Sequence, residues 1–569
     1  MTRICRLFVA FLSVVVVVTQ ASAQDEGSRP EHIGGLAFLD EVEVTIASIV
    51  VLVTDDDGNR VTDLEIGDFR VLQDGVERPL SNFHLFTEAI YRPQEVPEAV
   101  LIPEPSPTPT ADEPEIAPWS VVFYVDHENL YPFDRNQMLS QLRPFVNDIS
   151  SPHVKMMVIA STPGSFSVIQ DFTSEPEAVL RAFRSQRTAV GGRLSVESSE
   201  RDILELMQRD LQDDTTPPAQ GLQRAWSLIT DFTKEQSNAL SFSLASLRNA
   251  INTLAGLPGR KALIYISNGM PLIPGLGLQY ALASAYNQTA AVTAATEHNR
   301  IRDFEALVSL ANAQGVTVYT IDASGVPPPP SSSAELLRPA DILSASYSRD
   351  NYLDTLRMMA DGTGGTAIFN ANDIRGPMER VRQDFFTYYS LGYPITATGG
   401  DAVHRVKVEL PEHPQYELRY RKRLVEKSLE TRISDRVMSG LVFPVDENPM
   451  EIDATPGAPE PAAEKRWILP VDISFPLPSV ALLPDGEDYV GRVTVFVAAR
   501  DNQGKQSDLI RQSHEVRVPA ATYQEAESRR YVLPTRMLME EGRYLIVIGL
   551  LDQVTRQVSY QTVTTVIRP

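Results

Sequence analysis

Short apolar runs alternate with long polar-faced stretches between Trp119 and Tyr393, and this alternation limits the possible folds more than any other feature. The runs VVFYVD, VKMMVIAS, ALIYISNG, VTVYTIDAS and TAIFN are rich in β-branched residues and nearly uninterrupted, as strands buried on both faces are. The stretches between these strands predict helices at 135–149, 175–185, 200–211, 220–257 and 279–314. Strand–helix alternation indicates a parallel, doubly wound α/β sheet with helices on both faces. Ligands of such sheets bind at the carboxyl ends of the strands, where the strand order reverses.

Two β-rich regions flank this α/β region, which we place at 119–395. The first, 36–91, has short strands separated by the hairpin dipeptides Asp57-Gly58 and Asp74-Gly75, and strands within 400–425 are expected to complete it as one β domain. The second, 466–569, has closely spaced alternating strands that predict a C-terminal β-sandwich. The α/β domain is therefore expected to be inserted into the first β domain.

Two segments rich in Pro and Glu, at 92–118 and 446–465, predict extended linkers between the folded parts.

The net charge of the chain argues against one class of function. The chain has 51 Lys and Arg against 74 Asp and Glu, a formal net charge of −23, which argues against nucleic acid as a partner.

The first 23 residues predict a secretory signal peptide. Arg3 and Arg6 precede an apolar run that ends before the small residues Ala21-Ser22-Ala23, a pattern typical of a cleavage site. The single cysteine, Cys5, lies inside this segment, so the mature chain is expected to lack cysteine nucleophiles, cysteine zinc sites and disulfides. With no transmembrane span expected after cleavage, the predicted location is secreted or within the periplasm and cell envelope.

Polar side chains follow the predicted strands at the edge where a ligand would bind. Asp126 ends the first strand of the α/β region and Asn268 follows a later one, so both are expected in one crevice. His127, Asn129 and Asp322 are expected on its rim.

Four motifs carry a resemblance to a known family. They are VTDDDGNRVTDLEIGDFRVLQDG at 53–75, LPGRKALIYISNG at 257–269, DGTGGTAIF at 361–369 and YYSLGY at 388–393, and their order spans about two thirds of the chain. A first strand that ends in an acidic residue, a later strand that ends in Ser267-Asn268-Gly269 and helices on both faces resemble a von Willebrand factor type A domain, and the four motifs carry a narrower resemblance. More narrowly, the chain resembles the exported bacterial von Willebrand factor A-related proteins of the acidobacterial type.

The resemblance implies a metal-ion-dependent adhesion site, in which an Asp-x-Ser-x-Ser loop, a distant Thr and a distant Asp hold Mg²⁺ or Mn²⁺. Asp126 matches the first Asp, Glu128 and Leu130 stand in place of the two Ser, Asn268 replaces the distant Asp, and Thr188 is the nearest candidate for the Thr. Leu130 offers no oxygen, whereas a hard cation needs oxygen ligands. The site is therefore degenerate, and the alternative is a metal-free crevice in which Asp126 caps the following helix or loop.

The sequence contains no recognisable catalytic motif, so we predict a non-catalytic, adhesion-type module that binds a protein or surface polymer through this crevice. Two alternatives stay open. The first is a structural envelope protein whose crevice is inert. The second is a metal-assisted hydrolase with Asp126 and Glu128 as ligands and His127 as general base.

Overall fold

A computed structural model describes residues 44–91, 118–326, 339–396, 400–463 and 466–568. The predicted signal peptide and all of the predicted linker at 92–118 except Pro118 lie outside these residues. The strands are β1 Val44–Thr54, β2 Arg70–Gln73, β3 Val76–Arg78, β4 Asn82–Phe86, β5 Trp119–Val125, β6 Val154–Thr162, β7 Ser165–Thr173, β8 Arg260–Ser267, β9 Val316–Asp322, β10 Ala367–Ile368, β11 Tyr388–Thr396, β12 Ala402–Glu409, β13 Glu417–Tyr420, β14 Arg423–Glu426, β15 Asp453–Pro456, β16 Glu460–Pro461, β17 Trp467–Pro476, β18 Leu483–Asp485, β19 Asp488–Asp501, β20 Ile510–Pro519, β21 Arg530–Met539, β22 Gly542–Asp552 and β23 Val558–Ile567.

The α-helices in the same part of the chain are α1 Glu88–Tyr91, α2 Pro132–Gln141, α3 Arg143–Asp148, α4 Pro176–Ser185, α5 Arg193–Gln212, α6 Pro218–Leu254, α7 Leu276–Tyr286, α8 Ala290–Thr296, α9 Ile301–Ala313, α10 Pro339–Thr363, α11 Arg375–Phe386, α12 Leu429–Gly440 and α13 Tyr523–Ala526. Single turns of 3₁₀-helix include His127–Asn129 and Gln186–Thr188. None of the helices in the described ranges is long and apolar enough to cross a membrane.

The α/β domain is built on a six-stranded sheet with the order β10-β9-β8-β5-β6-β7. The sheet is parallel except at its edge, where β7 runs antiparallel to β6. One apolar core packs the sheet against α2, α3, α4 and α11, and a second packs its other face against α6, α9 and α10. The doubly wound α/β domain predicted from the sequence is thus confirmed. Because β5 lies between β6 and β8, the strand order reverses at the carboxyl ends of β5 and β8.

One predicted helix is divided in the structure. The stretch 279–314 was expected to be continuous, but it forms the three helices α7, α8 and α9. Asn287 caps the end of α7 with a left-handed backbone, φ 52°, a conformation that Asn tolerates better than most residues.

The N-terminal β domain is a sandwich of two four-stranded sheets, β13-β1-β11-β4 and β14-β12-β2-β3. Val408 pairs with Val71, so strands from either side of the α/β domain share one sheet. The prediction had placed 388–395 within the α/β domain, and this is wrong: β11 is an inner strand of the sandwich. The reason is that β11 is buried on both faces, with Tyr388 packed against the α/β domain and Tyr389 packed inside the sandwich.

The predicted linker at 446–465 is also corrected by the structure. Met450 and Ile452 are 0% and 2% exposed and belong to the core of the C-terminal β-sandwich. Strand β15 within this segment pairs with β17. The few apolar residues among its Pro and Glu residues therefore suffice to anchor the segment, because they enter a core already formed by other strands.

The C-terminal domain packs the sheet of β15, β16, β17 and β21 against the sheet of β18, β19, β20, β22 and β23. This confirms the predicted β-sandwich. Helix α12 covers the outer face of the second sheet, where Ile433 and Val437 pack against Phe496 and Val547.

Candidate ligand-binding crevice

A cavity of about 440 Å³ opens at the carboxyl ends of the central strands of the α/β domain. Helix α5 forms one wall and helix α10 forms another. The side chains that give the cavity its chemical character are Tyr131, Arg193, Glu200, Asp322, Arg349 and Tyr352. The cavity therefore combines both signs of charge with two aromatic rings.

Asp126 lies beneath this region, 1% exposed, at the end of β5. Its Oδ2 atom accepts hydrogen bonds from the Tyr265 hydroxyl, from Ser267 Oγ at 2.9 Å and from Asn129 Nδ2 at 2.9 Å. Burial, followed by the charge of Asp126, raises the pKa of Tyr265 well above its ordinary value, which keeps the phenol protonated and able to donate. Asp126 is thus a buried acceptor that ties the loop after β5 to strand β8.

Asn268, directly after β8, also connects that strand to the segment that follows β5. Its Oδ1 atom accepts a hydrogen bond from the backbone N–H of Tyr131 at 3.1 Å, and its Nδ2 group donates to Asp134 Oδ2 at 2.9 Å. Burial raises the pKa of Asp134, and the Coulombic effect of Asp322 adds to this. Both ends of the Asn268 amide are therefore engaged within the protein.

The other positions of the predicted metal site differ in burial and in location. Glu128 is half-buried, and burial followed by the charge of Asp126 raises the pKa of its carboxyl group. Leu130 is fully buried in the apolar core, and Thr188 is exposed in the 3₁₀ turn Gln186–Thr188. The structure brings Asp126 and Asn268 to the same loop junction, whereas no described contact joins Thr188 to either.

This donor set does not fit a Mg²⁺ or Mn²⁺ ion of the adhesion-site type. Such an ion needs several free oxygen ligands in octahedral geometry. In the part of the chain that the structure describes, no three His, Cys, Asp or Glu side chains are grouped to hold a metal. The Asp126 Oδ1 atom is buried and has no hydrogen-bond partner among the described residues, so it is an oxygen that a cation could bind. The predicted ion stays a prediction that titration can test.

His127 has both ring nitrogens occupied. Nε2 lies 2.9 Å from Gln186 Oε1, and Nδ1 lies 3.3 Å from Arg135 Nη1. Because the guanidinium can only donate, Nδ1 must accept and the proton of the neutral ring resides on Nε2. Burial lowers the pKa of His127, and the positive charge of Arg135 contributes to this. The half-buried ring is therefore a neutral link between two segments, with neither nitrogen left to serve as a base.

Arg135 is a fully buried cation that sequence reasoning did not single out. Its Nη1 and Nη2 groups each donate at 2.7 Å, to the carbonyl oxygens of Ala189 and Arg187. Arg135 thereby fastens the segment before α5 to helix α2, although no carboxylate lies within ion-pair distance among the described residues.

Gly191 and Gly192 allow that segment to lie directly on the loop after β5. A Cβ atom on Gly191 would lie 2.2 Å from the Leu130 carbonyl oxygen, and one on Gly192 would lie 2.5 Å from the Glu128 carbonyl oxygen. The backbone N–H of Gly192 also donates to the carbonyl of His127 at 2.9 Å. This close approach places Arg193 at the crevice, so the paired glycines were the sequence signal that could have revealed it.

The walls of the cavity hold further residues that sequence reasoning missed. The Arg193 guanidinium lies 3.7 Å from the centre of the Tyr352 ring, a cation–π arrangement. Across the cavity, Arg349 Nη2 lies 3.7 Å from Asp322 Oδ2. Asp322, which was predicted on the rim of the crevice, lines the cavity. Burial raises the pKa of its carboxyl group. Arg349 and Tyr352 lie on α10, whose link to the crevice no local sequence pattern shows.

Three large apolar side chains are exposed in the segments that lead to the crevice. Phe133, Val190 and Leu194 are 76%, 88% and 52% exposed, and they adjoin Asp134, Gly191 and Arg193 in the chain. Exposed apolar groups beside a polar cavity are typical of surfaces that bind another molecule.

Comparison with solved structures finds likenesses at low identity and low TM-score. The chain is similar to the vWF domain of the type V pili tip protein Mfa5 from Porphyromonas gingivalis, with 11% identity over 47% of this chain and 94% of that one, TM-score 0.23. It is also similar to an aerotolerance-related membrane protein from Bacteroides fragilis, with 12% identity over 47% and 98%, TM-score 0.21. The pilus adhesin SpaC from Lactobacillus rhamnosus GG matches at 8% identity over 80% and 69%, TM-score 0.25.

No family model matches the chain, and no curated protein matches it. The fold assignment therefore rests on the strand order and the helices on both faces of the sheet. The narrower membership among exported von Willebrand factor A-related proteins stays a prediction.

Proposed function

We propose that the chain is an exported, non-catalytic binding module of the adhesion type, which holds a protein or surface ligand in the crevice at the carboxyl ends of β5, β8 and β9. The observation that carries this proposal is the 440 Å³ cavity lined by charges of both signs. The exposed Leu194 follows the lining residue Arg193 in the chain, and Val190 and Phe133 are exposed in the neighbouring segments. Charged groups would select and orient the ligand, while the apolar groups would supply contact area.

The crevice supports binding without a metal ion. Arg193 and Arg349 offer guanidinium groups that bind carboxylates with good geometry, and Glu200 and Asp322 offer acceptors for a cationic group. Burial raises the pKa of Glu200, whereas the nearby Arg193 lowers it. A ligand that presents an acidic and a basic group beside an apolar surface, as a protein does, matches this arrangement.

The two alternative functions make different demands on the same residues. A metal-assisted hydrolase would need a free base, but both nitrogens of His127 are hydrogen-bonded. An inert scaffold would have no use for uncovered apolar groups such as Val190 beside a charged cavity. The binding module accounts for both observations.

Site-specific photo-crosslinking tests the proposal. A photoreactive amino acid would replace Val190 or Phe133, with Leu538 on the C-terminal sandwich, 54% exposed, as the distant control. The full chain is then irradiated on the surface of the producing cells. We expect a discrete adduct from the two crevice positions and none from Leu538.

The charge requirement is tested in the same experiment. Arg193→Gln removes a guanidinium that lines the cavity, whereas Arg209→Gln removes an exposed one from the same helix. We expect the adduct at Val190 to be lost with Arg193→Gln and kept with Arg209→Gln. Adducts that are equal at all positions, or absent while the protein remains folded, would favour the inert scaffold instead.

A further inference from the structure

A second cavity, of about 370 Å³, lies at the opposite end of the α/β sheet from the crevice. It is enclosed between the amino ends of β5, β8 and β9 and the β13-β1 side of the N-terminal sandwich. Its lining is unusual in charge. Five cationic side chains and a single carboxylate line it: Arg260, Lys261, Arg419, Arg421, Arg423 and Asp384.

Asp384 cannot neutralise these cations, because its carboxylate is already shared. Arg419 binds it in bidentate fashion, with Nη2 2.7 Å from Oδ1 and Nη1 3.0 Å from Oδ2. Arg60 forms an ion pair with the same group. The two positive charges of Arg419 and Arg60 therefore already exceed the single negative charge of Asp384.

The other four cations have no carboxylate partner among the described residues, and neutral groups hold them in place. Arg421 Nη2 donates to the Gly315 carbonyl at 2.5 Å and to Thr317 Oγ1 at 3.1 Å. Lys261, 7% exposed, donates to two backbone carbonyls at 2.8 and 3.1 Å. Arg423 Nη1 donates to Ser309 Oγ at 2.7 Å.

Arg260 completes the set. Its guanidinium lies 4.2 Å from the centre of the Trp119 ring and 3.7 Å from that of Tyr388. Its Nη1 atom is buried and has no hydrogen-bond partner in the ranges the structure describes. A buried N–H donor of a charged group that lacks an acceptor is costly, so an acceptor that enters the cavity would be strongly favoured.

Burial and the neighbouring positive charges lower the pKa of two cations in the cavity, Lys261 and Arg421. Burial, followed by the charge of Lys427, lowers the pKa of Lys261 to about 7, and Arg421 and Arg436 lower it further against the opposing effect of Asp435. Burial, followed by the charge of Arg260, lowers the pKa of Arg421 to about 10. A bound anion would reverse the effect of the like charges on both groups.

We propose that this cavity binds a small oxyanion of the phosphate or sulfate type, either as the free ion or as the head of an ester. Arginine forks match the geometry of such oxyanions, and a lysine adds a point charge. Arg260 and Lys261 belong to the α/β domain, whereas Arg419 and Arg423 lie in the sandwich strands β13 and β14 and Arg421 lies between these strands. The anion would therefore bridge the two domains and hold the crevice domain in a set orientation.

Titration calorimetry of the mature protein with sodium sulfate tests this proposal, with sodium chloride at matched ionic strength as the reference. We expect saturable binding of one sulfate ion, weakened about tenfold or more by Arg421→Gln because a fork contact is lost. Arg423→Gln, at an exposed position that tolerates substitution, should weaken it as well. Arg543→Gln, which removes an exposed arginine from the C-terminal sandwich, should leave it unchanged.

Proton uptake provides a second measurement that does not depend on affinity. Sulfate does not titrate near neutral pH, so protons taken up on binding come to the protein, and the observed heat then varies with the ionisation enthalpy of the buffer. We expect uptake near pH 7 in the wild-type chain and none in Lys261→Gln. Absence of saturable sulfate and phosphate binding, or wild-type affinity in both arginine variants, would overturn the proposal.

A final comparison distinguishes the two sources of the anion. Glycerol phosphate that binds more tightly than inorganic phosphate would indicate an ester, whereas weaker binding would indicate the free ion. Either result supports the oxyanion site itself, which does not depend on the proposed function of the crevice.

Discussion

Tyr265 and Asp126 meet beneath the crevice, where the phenol hydroxyl of Tyr265 donates a hydrogen bond to Oδ2 of the carboxylate. Ser267 and Asn129 donate to the same oxygen. An acidic residue at the end of the first strand of the α/β domain therefore holds the loop after β5 to strand β8. Because Asp126 is engaged within the protein, the charged groups that line the crevice are those carried by α5 and α10.

Asp126→Ala should destabilise the protein by about 3 kcal/mol, because the buried Tyr265 and Ser267 hydroxyls and the half-buried Asn129 amide lose an acceptor. Each unsatisfied buried group costs roughly 1–3 kcal/mol, without full additivity. Urea unfolding of the full chain measures this. Asp214→Ala, at an exposed position, is the matched control and should change the free energy of unfolding by less than about 0.5 kcal/mol. Equal stabilities of the two variants would contradict the structural role of Asp126.

Mg²⁺ and Mn²⁺ should show no saturable binding to the wild-type chain in calorimetric titration. The reason is that the Asn268 amide is engaged at both ends and Leu130 supplies no oxygen. The Asp126→Ala variant is titrated in parallel. Saturable heat in the wild type that disappears in the variant would instead establish the divergent adhesion site that the sequence implies.

The stability of the protein should fall on mild acidification, in part because of His127. Its pKa is lowered in the folded state, so below its ordinary value near 6.5 the unfolded chain binds the proton first and stability decreases as the pH falls. Arg135, Gln186 and Asp126 are the groups that act on the ring.

The measurement compares the free energy of unfolding at about pH 7.5 and pH 5.5. His127→Gln should lose less stability over this interval than the wild type. If His127→Gln showed the same pH dependence as the wild type, the lowered pKa would be refuted.

Gly192→Ala should destabilise the protein by about 1–3 kcal/mol, because the added Cβ would meet the Glu128 carbonyl oxygen at 2.5 Å and the backbone must shift. Gly376→Ala near the start of α11, where an added Cβ meets nothing within 4 Å, is the control and should be neutral or stabilising. Thermal unfolding reports the stability. The adduct formed at Val190 in the crosslinking experiment should weaken with Gly192→Ala alone.

Local sequence patterns were informative wherever the structure depends on neighbouring residues. The β-branched runs predicted the strands of the α/β domain, and the alternating residues after 466 predicted the C-terminal sandwich. The same reasoning failed at 446–465, because a Pro- and Glu-rich segment can still anchor itself through two residues, Met450 and Ile452, when a core formed elsewhere accepts them. It also failed at β11, since both faces of that strand are buried by different domains.

The sequence by itself determined the type of each domain, the carboxyl-end crevice and the positions of Asp126 and Asn268, because strand and helix periodicity and the polar residues that end strands are local properties. Only the tertiary structure decided what those residues do. Arg193 and Arg349 reach the crevice from different helices, and Arg260 and Arg421 meet at the other end of the sheet. Such meetings depend on how distant segments pack, and the charge and hydrogen bonds around a side chain follow from that packing.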